Sequence, residues 1–231
     1  MIATRTLQPM SKSLRVLSLL LTYPDDSVRK HLTAMKEVLR NECTLTPPRR
    51  VELNALIDSL ARVEPLEAQA HYVELFDRGR ATSLHLFEHV HGDSRDRGPA
   101  MIDLGQMYAK AGLMLTDGEL PDYLPAVLEF VSTQPAREAR AFLSEMAHIL
   151  NAIFAALIAR ESAYASVLGA LLEFAGEKAT VVTPTADDPL DQSWSEPAAF
   201  DGCSTKGQAR PDQVSPVHII RKKPAAQRGV H

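Results

Sequence analysis

From residue 12 onward the chain repeats one pattern, apolar residues at spacings of three and four, broken by short runs of Pro, Gly and Asp. That period marks an amphipathic helix, and it predicts helix after helix. Leu14, Leu17, Leu20 and Leu21 share one face of a first helix over 13–22, which Pro24 ends. Asp25 and Asp26 are placed to cap a second helix carrying Val28, Leu32, Met35 and Leu39. Thr46-Pro47-Pro48 opens a third, with Val51, Leu53, Leu56, Ile57 and Leu60. Pro65 opens a fourth over 66–77, with Tyr72, Leu75 and Phe76 near its end.

The middle is less regular. Residues 79–82 read as a loop, 83–90 as a short helix and 92–98 as a charged loop, before Pro99 starts a helix running to about residue 115. Asp117-Gly118 reads as a turn, and Pro121 is expected in a first helical turn, where its missing N–H costs nothing. The longest pattern, 135–160, puts Phe142, Leu143, Met146, Ile149, Leu150, Ile153, Phe154 and Leu157 on a broad apolar face. It predicts one long, central, buried helix, and a helix over 162–174 closes the domain. Only 179–183 has a strand-like pattern, and it is short. After Gly176 the composition shifts to Pro, Asp, Ser, Thr and Gln, which reads as a disordered tail over 177–231 despite Trp194 and Phe200 within it. The expectation is an all-α chain with a flexible N-terminus (1–11), a single helical domain (12–176) and that tail.

Composition sharpens this. Apolar residues make up 45% of the 231 residues but aromatics only 6%, so Leu and Ala dominate, and both favour helix over strand. Cys43 and Cys203 form neither a disulfide framework nor a zinc-ligand pair, which fits a reducing compartment. The apolar stretch 14–21 contains Arg15 and is too short to span a bilayer, and residues 1–13 hold no apolar signal region. A cytoplasmic protein with no stable membrane association is the expectation.

The formal charge of −4 hides an asymmetry. Residues 11–175 hold 22 acidic against 17 basic side chains, a net of −5. Residues 204–231 hold one acid, Asp212, against six bases. An acidic body lacks the basic face that would neutralise phosphates, so no nucleic-acid partner is expected and a basic peptide suits it better.

Catalytic apparatus is missing from the pattern. There is no GxSxG, no glycine-rich phosphate loop and no CxxC. His85 and His89 lie four apart, a spacing that can chelate a metal on one helix face. They do not form HExxH, and no distant ligand set completes them, so they are read as fixing a polar helix end or the next loop. No metal and no cofactor is expected, although a metal-dependent helical hydrolase is the enzyme reading to exclude. The loop 92–98, with Asp93, Arg95, Asp96 and Arg97 between two glycines, reads as local surface ion pairs or as a set of charges that docks a partner chain.

The stretch 72–98, from Tyr72-Val73-Glu74-Leu75-Phe76-Asp77 through Leu84-His85-Leu86-Phe87-Glu88-His89 to Arg97-Gly98, resembles the signature of the NarJ family, the delta-subunit assembly chaperones of respiratory nitrate reductase. Gly118-Glu119-Leu120-Pro121-Asp122-Tyr123-Leu124-Pro125, with Val127-Leu128-Glu129-Phe130, matches as well. The opening 14–24 and the segment 194–200 are similar to the family too, so the resemblance covers roughly 12–202.

The resemblance implies the helical fold shared with the TorD and DmsD redox-enzyme chaperones, and no enzymatic activity. It implies that the partner is the catalytic alpha subunit of nitrate reductase, held through its N-terminal leader-like segment. Molybdenum cofactor and iron–sulfur insertion are then assisted before membrane attachment. An adaptor for another molybdoenzyme shares the same surface and is the alternative. A basic amphipathic segment in an apolar groove needs leucine and aromatic anchors with a polar rim. Leu84, Phe87, Met101, Tyr123 and Leu124 are the candidate wall, and His85, His89, Asp93, Arg95, Arg97 and Asp122 the candidate rim.

Overall fold

The computed structural model describes residues 10–42, 44–90, 96–116 and 118–181, all within one helical unit. The tail expected over 177–231 lies outside the described residues from 182 on, while Ala179 packs on the core and the Thr180 N–H donates to Asn151 Oδ1 at 2.8 Å. Residues 1–9, both cysteines, Asp117 and the stretch 91–95 that holds His91, Asp93 and Arg95 also lie outside them. The described elements run α1 (Ser11–Leu20), α2 (Asp26–Lys30), α3 (Leu32–Glu42), α4 (Pro47–Arg62), α5 (Pro65–Phe76), a 3-10 turn (Arg80–Thr82), α6 (Leu86–Val90), α7 (Arg97–Lys110), α8 (Leu124–Thr133), α9 (Ala136–Glu145), α10 (Ala147–Ala159) and α11 (Ala165–Ala175). No strand occurs among the described residues, so the all-α expectation holds.

Prolines start helices where their missing N–H is harmless: Pro47 and Pro48 at α4, Pro65 at α5 and Pro125 at α8. Pro121 does not, because α8 begins only at Leu124. Asp25 caps α2 as expected, accepting the Val28 N–H at 2.8 Å. The second predicted helix is two, parted at His31, whose Nδ1 sits 2.7 Å from the Ser27 carbonyl. Met10 and Ser11 belong to the packed body rather than to a flexible start: Met10 is buried, and the Ser11 hydroxyl donates to the Ser132 carbonyl at 2.6 Å.

The core is built around α11, which packs on α10, α9, α4 and α1 and buries ten of its eleven residues. Beside it α1 lies along α8, joined by the Ser18 hydroxyl donating to the Pro125 carbonyl at 2.9 Å. The expected central helix over 135–160 is instead α9 and α10, bent by 65° at Met146. A straight helix of that span would run roughly 39 Å, whereas α11 is roughly 16 Å long. The bend lets both halves stay on the same short partner. No single described helix is long and apolar enough to cross a membrane, and the bent pair has seven α10 residues buried against this core.

One helix stands apart from this close packing. α7 buries only Leu104 and Tyr108 of its fourteen residues, and leaves Ile102 and Met107 exposed.

Leu168, fully buried at the middle of α11, tests the placement of the core. Leu168→Ala removes packed methyl groups and leaves a cavity, and is expected to lower the unfolding free energy by about 2–5 kcal/mol in urea titrations. Val51→Ala, on the exposed face of α4, should change it by less than about 0.5 kcal/mol.

Candidate functional site

The connection from α5 to α6 carries the site because its backbone is tied on both sides. Thr82 is buried, its hydroxyl donating to the Leu75 carbonyl, which pins the 3-10 turn to the end of α5. Gly79 is buried beneath Arg160, and a Cβ there would meet that guanidinium at 2.6 Å, so only glycine fits without moving Arg160. The chain then pairs antiparallel with the segment before α8 at one bridge, His85 to Tyr123. Leu86 N–H donates to the Asp122 carbonyl at 3.0 Å, and Leu124 N–H to the Leu84 carbonyl at 2.8 Å.

Behind that bridge Asp122 has no exposed surface. Its Oδ2 accepts the Phe87 N–H at 3.1 Å, satisfying a donor in the first turn of α6, and its Oδ1 lies 3.3 Å from His85 Nδ1. Arg97, at the start of α7, approaches Asp122 at 4.0 Å and Glu88 at 3.9 Å. His89 turns the other way, its Nε2 2.9 Å from the Ser83 carbonyl. The two histidines therefore do not converge, and both hold the loop. Among the described residues no three His, Cys, Asp or Glu side chains gather in a metal-binding group.

In front of the bridge is a pocket of about 230 Å³ formed by Tyr23, Tyr72, Phe76, Asp77, Leu84, His85 and Tyr123. Tyr72 donates its hydroxyl to the Leu21 carbonyl at 2.7 Å, with the Tyr123 hydroxyl 3.1 Å away. Tyr23 stands edge-on to Tyr72 at 5.7 Å and is 45% exposed, and the His85 ring lies 5.4 Å from that of Tyr123. Burial pushes the Tyr72 and Tyr123 phenols up, so both stay neutral hydrogen-bonding groups at ordinary pH. The wall is largely aromatic, with Asp77 and His85 as its members other than tyrosine that can change charge. Such a hollow takes one or two apolar side chains and offers them polar neighbours.

Of the candidate residues, Leu84, His85 and Tyr123 are brought together on the pocket. Asp122, expected on the rim, lies beneath it, and Leu124, expected on the wall, is fully buried in the core. Phe87 packs on the core from α6, Arg97 faces Asp122, and Met101 is half-buried on α7. Asp93 and Arg95 lie outside the described residues. Tyr23, Tyr72, Phe76 and Asp77 were not anticipated as pocket members. The signal was present, since Tyr72 and Phe76 fall one helical turn apart in a chain poor in aromatics.

The hydrogen bond to Asp122 raises the pKa of His85 above its ordinary value near 6.5, against the opposing pull of burial. A raised folded-state value means that the stabilisation is complete below about pH 6.5 and is lost as pH climbs through the higher folded value. Unfolding free energy should therefore fall as pH rises from about 6 to 8, and His85→Gln should flatten that slope. Urea titrations at a series of pH values read it, and an unchanged slope in the variant would remove His85 as its source.

The family model described as nitrate reductase delta subunit matches residues 25–170. The nitrate reductase molybdenum cofactor assembly chaperone NarJ of Escherichia coli K12 is 42% identical over 198 residues, covering 84% of this chain and 83% of that protein. The nitrate reductase-like protein NarX of Mycobacterium tuberculosis H37Rv is 36% identical over 155 residues, 67% of this chain and 23% of that much longer protein. A crystal structure from Archaeoglobus fulgidus, described as a redox enzyme maturation protein, superposes with a TM-score of 0.51 at 21% identity. It covers 73% of this chain and 94% of that one, a likeness of fold.

Proposed function

The chain belongs to the nitrate reductase delta subunit family, and from that premise we propose that it is a system-specific assembly chaperone that holds the catalytic alpha subunit of a respiratory nitrate reductase. Members of the family are assembly chaperones rather than catalysts, and the chain is not an enzyme. It acts in the cytoplasm, binding the N-terminal leader-like segment of that subunit while molybdenum cofactor and iron–sulfur cluster enter it. The cofactor and cluster are cargo of the partner.

The observation that carries this reading is the pocket at Tyr123. Its aromatic wall, one exposed tyrosine and 230 Å³ of space suit a single anchoring side chain of an amphipathic segment. The net charge of −5 over residues 11–175 draws a basic segment toward it and speeds encounter. The bridge between His85 and Tyr123 gives the wall a fixed shape, so little ordering is left to oppose binding.

Calorimetric titration of a peptide with the partner subunit's first residues tests this. Tyr23→Ala, a change at an exposed position, should weaken binding by about tenfold or more, which is about 1.4 kcal/mol, with the melting temperature unchanged. Co-purification with the catalytic subunit should be lost or sharply reduced when that subunit lacks its N-terminal segment. Wild-type affinity in a folded Tyr23→Ala variant would take this pocket out of partner binding.

A further inference from the structure

Helix α5 has two working faces. One carries Tyr72 and Phe76 toward the pocket described above. The other turns Glu67, Ala68, His71 and Glu74 into a separate groove of about 500 Å³, more than twice the volume of the first. The opposite bank is the end of α4, with Leu56, Leu60 and Val63, and Tyr164 closes the floor from the start of α11. Small side chains open it: Ala68 and Ala70 on α5 and Ala163 before α11 leave space where larger residues would fill. Leu66, one turn before Ala70, stands 80% exposed beside it. The volume falls within the range of about 300–1,000 Å³ common to ligand sites.

Charge selects the occupant. The charged side chains that line the groove are Glu67 and Glu74, and no lysine or arginine lines it. Glu74 meets Arg78 one turn along at 3.0 Å, but both are well exposed and such a pair is weak. Arg29 reaches the end of α4 and is tied there, donating to the Leu60 and Val63 carbonyls at 2.6 and 2.8 Å. An apolar groove with two carboxylates along its α5 bank fits a polypeptide segment that presents aliphatic side chains flanked by Lys or Arg.

We propose that this groove between α4, α5 and the start of α11 is a second docking site, for a cationic amphipathic segment of a client polypeptide. It is distinct from the pocket at Tyr123 and stands whether or not that pocket takes the partner's N-terminal segment. The two are adjoining: Tyr164 packs edge-on against Phe76 at 5.1 Å and Tyr72 at 6.3 Å, so one aromatic stack forms the floor of the groove and the wall of the pocket. Two segments of one client held on opposite faces of α5 would bind with the gain that linkage gives.

The probe is a fluorescein-labelled Leu/Lys peptide of about 18 residues, roughly five helical turns, with leucines on one face. Its anisotropy is followed against the full chain. Glu67→Lys/Glu74→Lys, which changes only exposed positions, and Ala70→Trp, which fills the groove, should each weaken binding by about tenfold or more with melting unchanged. Ile102→Ala, an exposed change on α7 that touches neither cavity, should leave it within about twofold. A Leu/Glu version of the peptide should not bind. The proposal is overturned if the wild-type chain does not bind the probe or if both groove variants bind it as the wild type does. It also fails if Tyr23→Ala is the change that abolishes binding, because that would put the peptide in the other pocket.

Discussion

A buried carboxylate holds the irregular half of this protein in place. Asp122 has no exposed surface, and a carboxyl in that position is tolerated only when its oxygens are fully engaged. The partners come from different parts of the chain: the Phe87 N–H from α6, the His85 ring from the strand-like segment before it, and Arg97 from the start of α7. Each bond ties one of those elements to the segment that leads into α8. Since α8 lies along α1 in the core, the tie transmits the rigidity of the helical body to a loop with little packing of its own. The pocket keeps its shape for this reason, and its own wall residues are secondary to it.

The same constraint explains what could be read from the sequence. Helix existence followed from leucine spacing and from prolines at helix starts, and the family from residues 72–98 and 118–130. Breaks were not legible where no proline or glycine marks them. Met146 interrupts a continuous apolar face because a short α11 must be touched by both α9 and α10, and that is a fact about a partner distant in sequence. Leu84, His85 and Tyr123 were singled out, as apolar wall and polar rim for a partner segment, on the two stretches that carry the family resemblance. Asp122 and Leu124 were placed at the surface by the same reasoning and are beneath it. A charge in a loop is normally solvated, and only the bridge to residues 84–86 shows why these are not.

Tyrosine is what the sequence argument undervalued. Four of the five in the chain, Tyr23, Tyr72, Tyr123 and Tyr164, form one array through ring contacts and a shared hydroxyl pair. Leucine packs a core without direction, whereas a tyrosine must also place its hydroxyl. Tyr72 and Tyr123 both point to the Leu21 carbonyl, left free where α1 ends. That unsatisfied helix end is the fixed point from which α5 and the segment before α8 take their separation. The width of the pocket is thus set by hydrogen bonds to backbone rather than by side-chain size. It follows that removing a hydroxyl, as in Tyr72→Phe, disturbs the pocket more than its lost volume suggests, because the ring stays while its anchor goes.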